Sequence, residues 1–77
     1  MMVKVYSTPT CPYCKMVKQF LTENKIDFED IDVSVNQNLA HEMIQKSGQM
    51  GVPVLDIDGR IVVGFDKTRI KQLLALK

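Results

Sequence analysis

Residues 3–14 read VKVYSTPTCPYC, and the change of character within this stretch decides the fold. Val3-Lys4-Val5-Tyr6-Ser7 alternates apolar with polar side chains, the period-2 pattern of a half-buried strand. Thr8-Pro9-Thr10 breaks that alternation. From Pro12 onward the apolar residues fall at Cys14, Val17, Phe20 and Leu21, with Met16 alongside, which is helical spacing. Pro12 suits the first helical position because an N–H is not needed there. Cys11 is then expected to cap the helix, with Cys14 one turn inside it.

The rest of the chain extends this strand-to-helix start. Asn24 and Lys25 can close the first helix. Ile26 to Val33 is rich in β-formers but carries Asp27, Glu29, Asp30 and Asp32, charges that suit an exposed edge strand. Alternate strand residues point to opposite faces, so these carboxylates read as a solvated strand and not as a metal site. Asn36-Gln37-Asn38 offers caps for a second helix with Leu39, Ala40, Met43 and Ile44 on one face, stopped near Ser47-Gly48. Gly51-Val52-Pro53 leads into Val54-Leu55-Asp56-Ile57, and Asp58-Gly59 is a type I′ hairpin signal joining that strand to Ile61-Val62-Val63. Asp66 is placed to cap a final helix that buries Ile70, Leu73 and Leu74. The order β-α-β-α-β-β-α predicts an α/β chain. Its βαβ unit supplies two parallel strands and its hairpin an antiparallel pair, giving a four-stranded mixed sheet flanked by three helices.

Length and composition set bounds on function. At 77 residues, the chain is expected to form a single domain over 1–77. Its 45% hydrophobic and 25% charged residues are ordinary for a protein with a packed core. A net charge of +1 without a basic run argues against nucleic acid and anionic membrane as partners. The sequence runs from Met1 into alternating residues without a leader pattern, and no stretch is long enough to span a bilayer, so the cytoplasm is expected. In a reducing compartment, two cysteines spaced C-x-x-C point to catalysis or metal binding before a structural staple. A closed zinc site uses four ligands, whereas the chain offers Cys11, Cys14 and one histidine, His41, which reads as an exposed mid-helix residue. No metal is expected.

A thiolate is the attacking species in thiol–disulfide exchange. At a helix start, orphan backbone N–H groups and the macrodipole favour an anion on Cys11, and Lys15 and Lys18 can add positive charge. Cys14 faces the core with Val17 and reads as the less exposed, resolving thiol. Pro12 and Tyr13 shape the turn and present an apolar surface beside the sulfur.

These residues resemble the glutaredoxins of the thioredoxin-fold superfamily over nearly the whole chain. Cys11-Pro12-Tyr13-Cys14 looks like the dithiol active site, Val52-Pro53 like the cis-proline segment, and Gly64-Phe65-Asp66 like the glycine-aspartate helix start. The resemblance implies a thioredoxin fold and a monomeric oxidoreductase of electron transport, reducing glutathione mixed disulfides or protein disulfides. Glutathione would be a cosubstrate, with no bound cofactor. Tyr13, Val52, Pro53, Gly64, Phe65 and Asp66 would contact it, with Pro12 and Lys15 supporting the site. Asp66 would meet the γ-glutamyl amine and neighbouring N–H groups its carboxylate.

Three positions depart from the family pattern. Thr8 stands where many glutaredoxins carry a basic residue, Gly51 where many have Thr, and Val63 precedes Gly64 in place of a second glycine. Lys15, Lys46 and Gln49 are the candidates to replace the missing basic group. Gly64-Phe65 also resembles redoxins that take electrons from thioredoxin reductase. A reading from another class is a protein that binds an iron–sulfur cluster between two subunits through Cys11 and glutathione.

Overall fold

Strand β1 (Val3–Ser7) lies inside a four-stranded sheet in the computed structural model, which describes residues 2–75. The outermost positions of the expected 1–77 domain, residues 1, 76 and 77, lie outside the described residues. β1 pairs in parallel with β2 (Glu29–Asp32) and antiparallel with β3 (Val54–Ile57), and β3 pairs antiparallel with β4 (Arg60–Val63). The order across the sheet is β2-β1-β3-β4. Three helices complete the chain, α1 (Pro12–Glu23), α2 (Gln37–Ser47) and α3 (Lys67–Leu74). This is the expected order of elements and the thioredoxin fold.

The strand period divides the apolar residues into two layers. Val3, Val5, Leu55, Ile57 and Val62 face Val17, Phe20 and Leu21 of α1 and Ile70 and Leu74 of α3. On the other face Tyr6, Ile31 and Val54 meet Met43 of α2. Each fully buried aliphatic side chain contributes about 1.5–3 kcal/mol, so both layers are needed to hold so small a sheet. The hairpin turn is as expected: Asp58 (φ 51°) and Gly59 (φ 88°) both take positive φ, as a type I′ turn requires.

The edge strand is shorter than the Ile26–Val33 expected from sequence. The closing of α1 explains the difference. Lys25 takes φ 59°, its N–H donates to Thr22 O at 3.0 Å, and the Ile26 N–H donates to Leu21 O at 2.9 Å. Backbone groups spent on ending the helix cannot join a ladder, so Ile26 and Phe28 only pack against the first layer while pairing begins at Glu29.

Asp56 is buried in β3 and anchors a polar network on the α2 face. Lys46 Nζ donates to Asp56 Oδ2 at 2.7 Å and to the Tyr6 hydroxyl at 2.8 Å, while that hydroxyl donates to Glu42 Oε2. Gly59 N–H gives Asp56 Oδ1 a further bond at 2.7 Å. Burial pushes the Asp56 carboxyl up, but the bonds from Lys46 and Gly59 outweigh it and hold the group below the usual carboxylate range. Lys46 is shifted upward, by Asp56 first and Tyr6 second.

Lys46→Met should therefore leave a buried carboxylate short of its cation and lower stability by about 1–3 kcal/mol at neutral pH. Because Asp56 titrates lower in the folded than in the unfolded chain, its contribution is complete above about pH 4 and is lost as pH falls through the folded value. Urea denaturation of parent and variant at a series of pH values should show the gap between them narrowing in that acid range.

Candidate active site

Helix α1 begins at Pro12, and the residue before it is extended, with Cys11 at φ −91° and ψ 113°. That backbone aims the Cys11 side chain back at the first turn, where Sγ accepts the Cys14 N–H at 3.1 Å. Sulfur thus fills the capping position usually held by a Ser, Thr, Asp or Asn oxygen. The Lys15 N–H donates to Cys11 O at 3.2 Å to start the helical ladder, and the Cys11 N–H donates to Thr8 O at 3.4 Å. The first turn of α1 carries no acidic residue, so nothing there opposes a negative charge on the sulfur.

The two thiols are both free and sit in different surroundings. Cys11 is partly exposed, whereas Cys14 is 0% exposed. Burial pushes the Cys14 thiol up to about 11, reinforced by its hydrogen bond to Cys11 and by the charge on that sulfur. At neutral pH the Cys14 thiol is therefore overwhelmingly protonated. The asymmetry expected from helix position is present in the fold.

A second segment reaches the same place from between α2 and β3. The Val52-Pro53 bond is cis, as the family resemblance implied, and the Cys11 thiol donates to Val52 O at 3.9 Å. Pro53 is buried, and its carbonyl accepts the Gly64 N–H at 2.8 Å. Gly64 takes φ 79°, which only glycine adopts readily. These bonds link the Cys11 loop, the cis-proline segment and the start of α3.

The other candidate residues spread around this centre. Pro12 and Lys15 are exposed and Tyr13 is 62% exposed, so they stand at the mouth of the site. Asp66 caps α3, its Oδ1 accepting the Arg69 N–H at 3.1 Å. Phe65 turns its ring onto Phe20, edge to face with centroids 5.8 Å apart, so that side chain belongs largely to the α1–α3 layer. A cavity of about 370 Å³ lined by Met2, Lys4, Asp56, Asp58 and Gly59 lies toward the opposite end of β1 and contains neither thiol.

Two candidates for the missing basic group are corrected by their contacts. Lys46 is bound to Asp56 and Tyr6. Gln49 folds back on its own loop, its Oε1 accepting from Gly51 N–H and its Nε2 donating to Gly51 O at 3.0 Å. A Cβ on Gly51 would come within 2.7 Å of Gln49 Oε1, so glycine at 51 and the folded glutamine go together. Lys15 remains exposed and makes no ion pair among the described residues.

Lys18, expected to supply charge near Cys11, is paired at 3.0 Å with Asp30 Oδ2, whose Oδ1 accepts Ser7 Oγ at 2.7 Å. Burial raises the Asp30 carboxyl, but the Ser7 and Lys18 bonds outweigh it and hold it low. Sequence reading took Asp30 as one member of a solvated acidic run, and its side chain is indeed 46% exposed; the pairing with Lys18 and Ser7 is added by register, because Asp30 lies opposite Val5, on the face of the sheet that α1 covers.

Comparison with known proteins places this geometry in a family context. The glutaredoxin family model matches residues 3–62. An uncharacterised glutaredoxin-like 8.6 kDa protein of the Clostridium pasteurianum rubredoxin operon is 49% identical over 73 residues, covering 95% of this chain and 97% of that protein. The glutaredoxin-like protein NrdH of Lactococcus lactis is 33% identical over 72 residues, covering 94% of this chain and 99% of the relative. Among solved structures, a mutant of the thioredoxin-like protein BC3987 superposes with a TM-score of 0.91 at 32% identity, covering 97% of this chain and 96% of the other.

The unequal thiols give a direct test. Iodoacetamide at pH 7 should label Cys11 about a hundredfold faster than Cys14, or more, because the buried thiol offers neither access nor thiolate. Peptide mapping by mass spectrometry reads the two sites separately.

Proposed function

The chain belongs to the glutaredoxin family and is a thiol–disulfide oxidoreductase, and from that premise we propose that it reduces glutathione mixed disulfides and protein disulfides, with Cys11 attacking and Cys14 resolving. The observation that carries this reading is the pairing of a partly exposed sulfur at a helix N-cap with a fully buried thiol one turn behind it. Glutathione is the cosubstrate, no bound cofactor takes part, and the protein works as a monomer in the cytoplasm. No helix among the described residues is long and apolar enough to cross a membrane.

The unequal exposure of the two thiols supports a cycle of thiol–disulfide exchange. The Cys11 thiolate attacks a substrate disulfide R–S–S–R′, forms a Cys11–S–S–R bond and expels R′–S⁻, which takes up a proton. The Cys14 sulfur, after losing its proton, then attacks the Cys11 sulfur, closing the Cys11–Cys14 disulfide and releasing R–S⁻. Alternatively, an external glutathione thiolate attacks the R sulfur of the Cys11–S–S–R bond, forming G–S–S–R and releasing the Cys11 thiolate. Glutathione held against the cis-proline segment pairs its peptide part with the Val52 backbone, as an added strand would. Tyr13 covers it from the helix side, the N–H groups of Phe65 and Asp66 meet its γ-glutamyl carboxylate, and the Asp66 side chain meets the amine. Gly64 holds that loop through its bond to Pro53.

A second electron donor is favoured by the cation count. With Thr8 in the position of a basic residue and Lys46 and Gln49 engaged elsewhere, Lys15 is the one candidate left to meet the glutathione glycyl carboxylate. Reduction by thioredoxin reductase needs no such contact.

A reductant swap separates the donors. NADPH-coupled turnover with glutathione and glutathione reductase should exceed turnover with thioredoxin reductase alone; the reverse order would make thioredoxin reductase the donor. Cys11→Ser should abolish turnover of a glutathione mixed disulfide, while Cys14→Ser keeps a substantial part of it through the external-glutathione route. Equal loss in both variants would rule out the proposed division of labour.

A further inference from the structure

Resolution by Cys14, on the reading above, requires a thiolate in a place where burial opposes one. Of the cations on its own helix, Lys15 is the next residue and points away to solvent, whereas Lys18 is four residues on and so on the same face one turn later. A lysine side chain at that position would ordinarily sample many rotamers, since it has four rotatable bonds and a strongly hydrated head. Here it is held. Nζ donates to Asp30 Oδ2 at 3.0 Å, and Asp30 Oδ1 accepts Ser7 Oγ at 2.7 Å. Ser7 is 2% exposed and is the last residue of β1 before the loop that carries Cys11. Three elements, β1, β2 and α1, therefore converge on one ammonium group, one helical turn from the resolving cysteine, with Lys18 25% and Asp30 46% exposed.

The charged groups acting on Cys14 are few. Cys11 faces it from the loop, Lys18 from its own helix, and Asp30 stands behind Lys18 from β2. Lys15 is exposed on the first turn. The Lys18 side chain is only 25% exposed, so its charge is screened less than that of a fully solvated lysine. It opposes the effects of burial and of Cys11 on the Cys14 thiol.

We propose that Lys18, held in place by Asp30 and Ser7, stabilises the Cys14 thiolate as it forms and so sets the rate of the resolving step. Asp30 and Ser7 are positioning residues that act through Lys18. In this step Cys14 releases its proton to water and bonds to the Cys11 sulfur. The Cys11–S–S–R bond breaks, R–S⁻ leaves with the electron pair, and it takes up a proton. R–S is reduced and the Cys11–Cys14 pair is oxidised, so the exchange balances without another reactant.

Equimolar dithiobis(nitrobenzoate) tests this without glutathione. Attack by Cys11 releases one coloured thiolate, and Cys14 then releases a second from the mixed disulfide, giving two phases in stopped flow. Lys18→Met should slow the second phase about tenfold and leave the first within about twofold of the parent, with an unchanged far-UV circular dichroism spectrum reporting that the variant is folded. Lys18→Arg, which keeps the charge and the carboxylate pairing, should retain most of the second-phase rate.

The double variant Asp30→Asn/Lys18→Met removes the unpaired carboxylate that the single variant leaves, and it should remain slow. A second phase in Lys18→Met within about twofold of the parent overturns the proposal. So does full recovery in the double variant, which would place the whole effect on an unpaired Asp30. Persistence of the first phase in Cys11→Ser would instead overturn the assignment of the nucleophile, a result separable from any change confined to the second phase.

Discussion

A single hydrogen bond, from the Cys14 N–H to the Cys11 sulfur at 3.1 Å, is the constraint around which the molecule is arranged. It makes the sulfur a helix cap, and a cap must sit where the chain turns from extended to helical. Pro12 fixes that turn by starting the helix without a donor to waste. The same bond places Cys14 one turn inside, among Val17, Phe20 and Leu21, all of them buried. Chemical inequality between two identical side chains is thus a consequence of helix geometry: one sulfur faces orphan N–H groups and solvent, the other a closed core.

Holding that sulfur against a partner surface takes more than one helix. The Val52 carbonyl approaches Cys11 because the segment before β3 is held by the sheet on one side and by Gly64 on the other. β1 delivers the Cys11 loop and pairs directly with β3, so the two segments that meet at the sulfur come from adjacent strands. The α1–α3 layer and the α2 layer clamp those strands from opposite faces. With the scaffold fixed in this way, the backbone around Cys11 is held from both sides before any partner arrives.

Most of this was legible in the residues, and the reasons are local. The alternation of Val3–Ser7, the Pro12 start, the Asn36 and Asp66 caps and the Asp58-Gly59 turn are each decided by neighbours within a few positions, so their patterns appear in sequence. The β2 boundary was not legible, because Ile26 and Phe28 satisfy the apolar pattern of a strand while the Ile26 backbone closes a helix. The ion pairs were hidden for a different reason. Asp30 with Lys18 and Ser7, and Asp56 with Lys46 and Tyr6, join residues on separate elements, and only strand register and helix face bring them together. Asp56 did carry a hint, as a lone charge between Leu55 and Ile57 that called for a buried partner.

Those two pairs also bear on how the site distinguishes ligands. Each takes a lysine near the sheet and binds it to a carboxylate, which removes two cations from the supply that a glycyl carboxylate could use. Thr8 removes a third at the position where the resemblance led one to expect it. On the proposed function, the groups left to a ligand are backbone groups at Val52 and the α3 start, the exposed face of Tyr13 and the exposed Lys15. Backbone pairing and an aromatic face suit an extended peptide as well as they suit a tripeptide, since neither reads a terminal charge. Within the same economy of charge, the helix start is the feature held against the Cys11 sulfur, which returns the chemistry to the one N–H that faces it.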